Sequence, residues 1–250
     1  MKGHIVCSLA ELDAVGDALG LDVRRFPFSI GHRGTTLAER VTLVEAVHRD
    51  LVARDLVRGR DFAPELVERL RLFADAPLGV ALVGTARGVP LVALAVSDGR
   101  DGVLAVQRDE LVVFHRHAAD TVVEALVGLL PDLPPGPGSA VVVDAPAPLP
   151  PDEDFSHFRF TAGIRPAATA DSAVAEILRR PRTGAGYFSV SVRKGGQEAE
   201  LGAASYLDVD AGRFAVLPGR RPNGTPSATY VPMDRWSIGR HLADSLSSTG

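Results

Sequence analysis

Four short apolar runs in the middle of the chain, residues 79–85, 89–96, 102–107 and 110–115, limit its fold more than any other feature. Each is rich in Val and Leu, and Gly, Asp and Arg separate it from the next. Runs this short with turn residues at every break predict an antiparallel meander. A meander alone leaves an unpaired edge and an uncovered apolar face, so the rest of the chain has to supply partners for both.

The segment before the meander reads as helical. Ser8 and Glu11 have capping-box spacing, followed by Leu9, Leu12, Val15 and Leu19 on one face and Gly20 as the stop. Thr36 and Glu39 repeat the signal and open a second helix. Leu37, Val41, Val44, Val47 and Leu51 are expected to face inward along it, and it runs out near Arg58 and Gly59. Pro64 suits the first position of a third helix that turns Leu66, Val67, Leu70 and Phe73 inward. Between the first two helices, residues 24–28 read as extended because of Pro27.

The plan then repeats. A helix over about 120–130 ends at the proline-rich stretch 131–138; a strand at 140–144, an acidic proline-rich loop at 146–154 and a helix at about 171–180 follow. Strands are expected at 186–194, 202–208, 213–217 and 227–231, and a last helix at 232–247. Val122, Leu126 and Leu130 match Ile238, Leu242 and Leu246 at a constant offset, which suggests a duplication. The expectation is one α+β domain over residues 1–250. A subdomain of about 1–130 and another of about 139–250 would meet through 131–138, and their strands would join in one sheet.

Composition narrows the function. A net charge of −4 with 46% hydrophobic residues argues against disorder, nucleic acid and insertion into a membrane. The N-terminal apolar run meets Glu11 and Asp13 too soon for a signal-peptide core, so the cytoplasm is the expected compartment. A single cysteine, Cys7, excludes internal disulfides and multi-cysteine metal sites. His115 and His117 share a strand face, but no third ligand accompanies them at a suitable spacing. Gly184-Ala185-Gly186 lacks the context of a dinucleotide loop, and there is no P-loop or nucleophile elbow. No cofactor and no metal are expected. Two alternatives stand beside a binding protein: a hydrolase-like enzyme using Cys7 or the His115/His117 pair, and a self-associating structural module.

The whole pattern resembles the EspG family, the cytosolic chaperones of actinobacterial type VII (ESX) secretion, over about residues 8–247. The resemblance rests on Thr35-Thr36-Leu37-Ala38-Glu39-Arg40 and on Leu51 to Val57 at the two ends of the second helix. It continues in Leu129 to Gly138, in Tyr206 to Phe214, and in the helix after Val231-Pro232. It implies a central, mostly antiparallel sheet carrying helical bundles, with quasi-two-fold symmetry. It also implies a function: binding a PE/PPE-like or other ESX-secreted helical protein, shielding its apolar tip and keeping it ready for export. A homodimer is compatible with it. By position the resemblance assigns client contact to the loop residues Asp98, Gly99, Arg100 and Asp101, to Phe188, Val190 and Val192, and to Trp236.

Overall fold

Ser8 works in two elements at once. It ends a four-residue strand, β1 (Ile5–Ser8), and caps the helix α1 (Leu9–Leu19). Its Oγ accepts the Glu11 N–H at 3.1 Å, and the Glu11 carboxylate accepts the Ser8 N–H at 2.7 Å. Gly20 closes α1 in the left-handed conformation. Thr36 and Glu39 build the same box at the start of α2 (Leu37–Ala53). A small hairpin, β2 (Val57–Arg58) and β3 (Asp61–Phe62), leads to α3 (Pro64–Asp75). In this computed structural model, residues 4–144, 172–195 and 197–247 are described.

The predicted meander is present as β4 (Leu78–Ala86), β5 (Val89–Ser97), β6 (Asp101–Arg108) and β7 (Leu111–Ala118), followed by α4 (Val122–Val127). The second half brings β8 (Val141–Asp144), α5 (Ser172–Arg179) and a second meander of β9 (Arg182–Lys194), β10 (Gln197–Val209), β11 (Gly212–Arg220) and β12 (Pro226–Pro232). The helix α6 (Arg235–Ser247) closes the chain. All but the β2–β3 hairpin join one ten-stranded sheet in the order β1-β7-β6-β5-β4-β9-β10-β11-β12-β8. The halves meet where β4 pairs antiparallel with β9, Leu82 opposite Phe188. About that centre the order is symmetric: β4 with β9, β7 with β12, and β1 with β8 at the two outer edges. The fold is α+β, and the two meanders share one sheet as expected.

Alternation along the strands sorts the core onto the two faces. On one face α1, α2 and α3 cover Ala81, Leu94, Val96, Val103 and Phe114; beyond the centre, α5 covers Ala185, Leu207 and Phe214 on that same face. On the other, α4 and α6 lie side by side over Leu82, Phe188, Val190 and Tyr206. Val122, Leu126, Leu130, Ile238, Leu242 and Leu246 all enter this second cluster, so the matched helix positions have matched roles.

Three expectations are corrected. The strand β1 lies where the sequence shows only a short apolar run, and it pairs with the outer edge of β7. Residues 24–28 turn instead of extending, with the Phe28 N–H donating to the Arg25 carbonyl at 2.9 Å. The helix α2 ends at Ala53 and buries Val47 and Leu51, but Leu37, Val41 and Val44 face outward. The acidic loop 146–154 lies outside the described residues.

Candidate functional site

The turn from β5 into β6 stands at one end of the sheet, and its own side chains shape it. Asp98 Oδ1 accepts the N–H of Arg100 at 2.9 Å and of Asp101 at 2.8 Å, and Ser97 Oγ accepts the Gly99 N–H at 3.0 Å. These amides hold the Asp98 carboxyl below the usual carboxylate range. Gly99 takes φ +91°, a conformation closed to most side chains. Asp101 receives the Arg116 guanidinium of the neighbouring strand at 2.7 Å. Arg100 is exposed and makes no ion pair with the described residues. The turn therefore presents one unpaired cation between two carboxylates that are each engaged.

A concavity opens on either side of this turn. On the α3 face a groove of about 910 Å³ has Ile5, Leu72 and Val103 among its apolar lining, with Asp98, Asp101 and Arg116 on its rim. On the α4/α6 face a smaller one of about 320 Å³ lies among Val80, Val122, Val123, Ala243 and Leu246, with Ser97 and Gly99 at its edge. The turn is the common rim of a charged groove and an apolar one. An apolar hollow edged by a polar turn is suited to a protruding apolar side chain from a partner.

Strand register brings one more predicted residue to this place. Val192 pairs with Leu78, Leu78 with Ser97 and Ser97 with Gly102, so the four form a row across β9, β4, β5 and β6. Val192 is half-buried and stands about 10 Å from Ser97, two strand spacings away. Phe188 and Val190 require a correction: at 0% and 1% exposure they lie beneath α4 and α6 and pack the core, out of a partner's reach. Trp236 is on the surface at the other end of α6, under the Arg235 guanidinium at 4.6 Å. Ten residues of helix, about 15 Å, separate it from Leu246 at the hollow. Ala243, Leu246 and Val123 also line the hollow; no sequence signal marks them for a client, because their helical spacing signals core packing and nothing more.

The residues considered for catalysis are arranged otherwise. Cys7 is buried, and desolvation, then the Glu11 charge, pushes its thiol up to about 12. The His115 ring lies 5.9 Å from that of His4; burial, then the charges of His4 and His117, lowers its affinity for a proton. Among the described residues, one group brings three potential metal ligands together: Asp13, Asp17 and His32. There Arg24 bonds Asp13 at 2.6 Å and Arg40 bonds both carboxylates. Burial alone would raise the Asp13 pKa, but its bonds to Arg40 and the Arg33 amide and the charge of Arg24 hold it below the ordinary value. This network ties α1 to α2 and leaves the oxygens committed to arginine.

The EspG family model matches residues 8–244. No curated protein matches the chain. In fold the chain is similar to the Mycobacterium tuberculosis type VII secretion system chaperone EspG5, solved in complex with a PE25–PPE41 dimer. That likeness has a TM-score of 0.64 and 13% identity, and it covers 98% of this chain and 96% of that one. The family model runs through both meanders and both of the helices that close them: the chain belongs to the EspG family.

Proposed function

We propose that this chain is a cytosolic chaperone of type VII secretion that binds a secreted PE/PPE-like helical protein, shields its apolar tip and keeps it export-competent. The match to the EspG family over residues 8–244 carries the reading. The related EspG5 was solved holding a PE25–PPE41 dimer. The hollow beside Gly99 supports it, since each apolar side chain that a client buries there gains about 1.5–3 kcal/mol. Rim charges such as Arg100 contribute only about 0–1 kcal/mol when exposed. Their effect is on choice, because a client bringing a like charge to the rim is penalised. Binding of this kind has no covalent step, and neither Cys7 nor the histidines take part.

Work in the cytosol follows from the client's need for cover before export, and no described helix is long and apolar enough to cross a membrane. Co-expression with candidate PE/PPE pairs and with other ESX-secreted helical hairpins, followed by size-exclusion chromatography, tests the reading. One client should co-elute at one-to-one stoichiometry. Arg100→Glu should change which client is retained while leaving the melting temperature within about 2 °C, as for a surface substitution. Failure of every such client to co-elute, or an unchanged client profile in the variant, counts against it.

A further inference from the structure

The strand β1 brings a third histidine to His115 and His117, one that no spacing in the sequence reveals. Ile5 pairs with Phe114, so His4 stands opposite His115 in the antiparallel register. The Leu9 N–H donates to the Glu110 carbonyl at 2.9 Å, which fixes the alternation along the two strands. By that alternation His4 and His115 form a non-hydrogen-bonded pair, the kind that brings Cα atoms to about 4.5 Å and side chains closest. Their ring centres lie 5.9 Å apart. Ile5 and Phe114 enter the core beneath α3, so His4, His115 and His117 all project from the opposite face. On that face α4 lies over β5 and β6. The histidines stand beside it toward the sheet edge, His115 and His117 half-buried and His4 exposed.

We propose that His4, His115 and His117 form a site for one divalent transition-metal ion, best suited to Zn²⁺, that staples the edge strand β1 to β7. Three neutral imidazoles and a water make a tetrahedral zinc site with one open position. Zn–N bonds of about 2.1 Å at tetrahedral angles set imidazole centres about 5 Å apart, so His4 and His115 need approach by only about 1 Å. The three rings do not yet converge as the ligand atoms of Asp13, Asp17 and His32 do. The closing swing falls to His4, exposed at the head of β1. Burial, then for His115 the charges of His4 and His117, lowers the proton affinity of both strand histidines, which keeps them neutral and ready to ligate. Among the described residues no hydrogen bond or ion pair engages the three rings, whereas His32 is bonded to Arg24 beside Asp13. Arg69 and Arg116 are engaged on the α3 face, on the Phe114 carbonyl at 3.2 Å and on Asp101, with the sheet between them and the ion. The strand β1 has four residues, and its Ser8 end is anchored by the cap of α1. The metal anchors its other end.

Titration of the full chain with zinc chloride, free of any affinity tag and first stripped with a chelator, tests this by calorimetry and thermal melting. The wild type should bind one Zn²⁺ per chain. Zinc at about a hundred times its Kd should raise the melting temperature by about 5 °C or more. Co²⁺ in its place should give the intense visible bands of a tetrahedral site. His4→Ala, His115→Ala and His117→Ala should each weaken zinc at least about tenfold and cancel most of the thermal shift. None of the three lies in the core, so metal-free melting of each variant should stay within about 2 °C of wild type. His32→Ala and His48→Ala should bind zinc as the wild type does. Binding that is absent or well below one ion per chain overturns the proposal. So does full affinity in His4→Ala, which would leave the His115/His117 pair without a third ligand. Loss of the ion on His32→Ala alone would move it to the Asp13/Asp17 group and refute the site equally.

Discussion

Cys7 shows how far one environment can override one side chain's chemistry. Its place just before a helix cap is where a reactive thiolate could be stabilised, but β1 carries it into the core at 1% exposure. With the thiol near pKa 12, the thiolate fraction at pH 8 is on the order of 10⁻⁴. Labelling with Ellman's reagent should therefore be at least about a thousandfold slower in the folded chain than in guanidinium. Rapid labelling of the native protein would restore the case for a nucleophile. Arg25 is the contrary case, a residue whose importance no local pattern announces. It is 1% exposed; its Nη1 donates to the Phe73 and Ala76 carbonyls at 3.0 and 3.3 Å, and its Nη2 reaches Glu198 at 3.1 Å. Ser191 Oγ donates to the same carboxylate oxygen at 2.5 Å. One guanidinium thereby satisfies carbonyls at the end of α3 and binds the first half to the β9–β10 hairpin. The sequence places Arg25 in a short proline-containing segment, and its partner lies far along the chain, where periodicity carries no information.

Among the elements, those with strong local signals were legible and those set by remote contacts were not. The first meander was readable because its turns and β-branched runs agree with its pairing. In the second, β9 begins at Arg182, earlier than the sequence suggested, because Gly184 and Gly186 weaken the strand signal there. Their reason is spatial: a Cβ on Gly186 would come within 2.4 Å of the Tyr206 ring and 2.8 Å of Gly84 Cα. With no side chain in the way, the Tyr206 hydroxyl donates to the Thr85 carbonyl at 3.0 Å across the join of the two halves. The proline-rich stretch was legible as a helix stop but not as a docked strap. Arg213 N–H donates to the Pro134 carbonyl at 2.9 Å, and Gly136 N–H returns a bond to the Arg213 carbonyl at 2.8 Å. The Arg213 side chain, paired with Asp208 at 2.6 Å in the core, also reaches the Pro131 carbonyl at 3.1 Å. Gly136 lies flat on Phe214, whose ring would be 2.2 Å from an added Cβ. Gly136→Ala should accordingly cost about 1–3 kcal/mol by overpacking, seen as a lower midpoint in urea. Gly31→Ala, with open space around it and no positive φ, is the neutral control. Equal midpoints for the two variants would mean that the strap is not packed as described.

At the scale of the molecule, the join between β4 and β9 decides whether the halves are independent. It runs the whole length of β4, from Leu78 opposite Val192 to Ala86 opposite Gly184. Either half alone would expose that row of backbone donors and acceptors on a long apolar strand, an edge that recruits other chains. Each half would also lose cover on a second level. The α4/α6 cluster draws Leu126 and Leu130 from one half and Phe188, Tyr206 and Leu242 from the other, so separation opens an apolar face as well as an edge. The repeated plan thus leaves neither half self-sufficient, and the rim at residues 97–102, proposed above to meet the client, inherits this dependence. Its hollow takes Val80 and Val122 from the first half and Ala243 and Leu246 from the second. Residues 1–138 and 139–250 expressed as separate chains should each aggregate or stay poorly structured, whereas co-expression should return a soluble complex that retains the client. Circular dichroism and size-exclusion chromatography of the three preparations distinguish the outcomes. A soluble, cooperatively melting fragment from either half would show that the shared sheet is dispensable for folding, and client binding by such a fragment would place the site within one half.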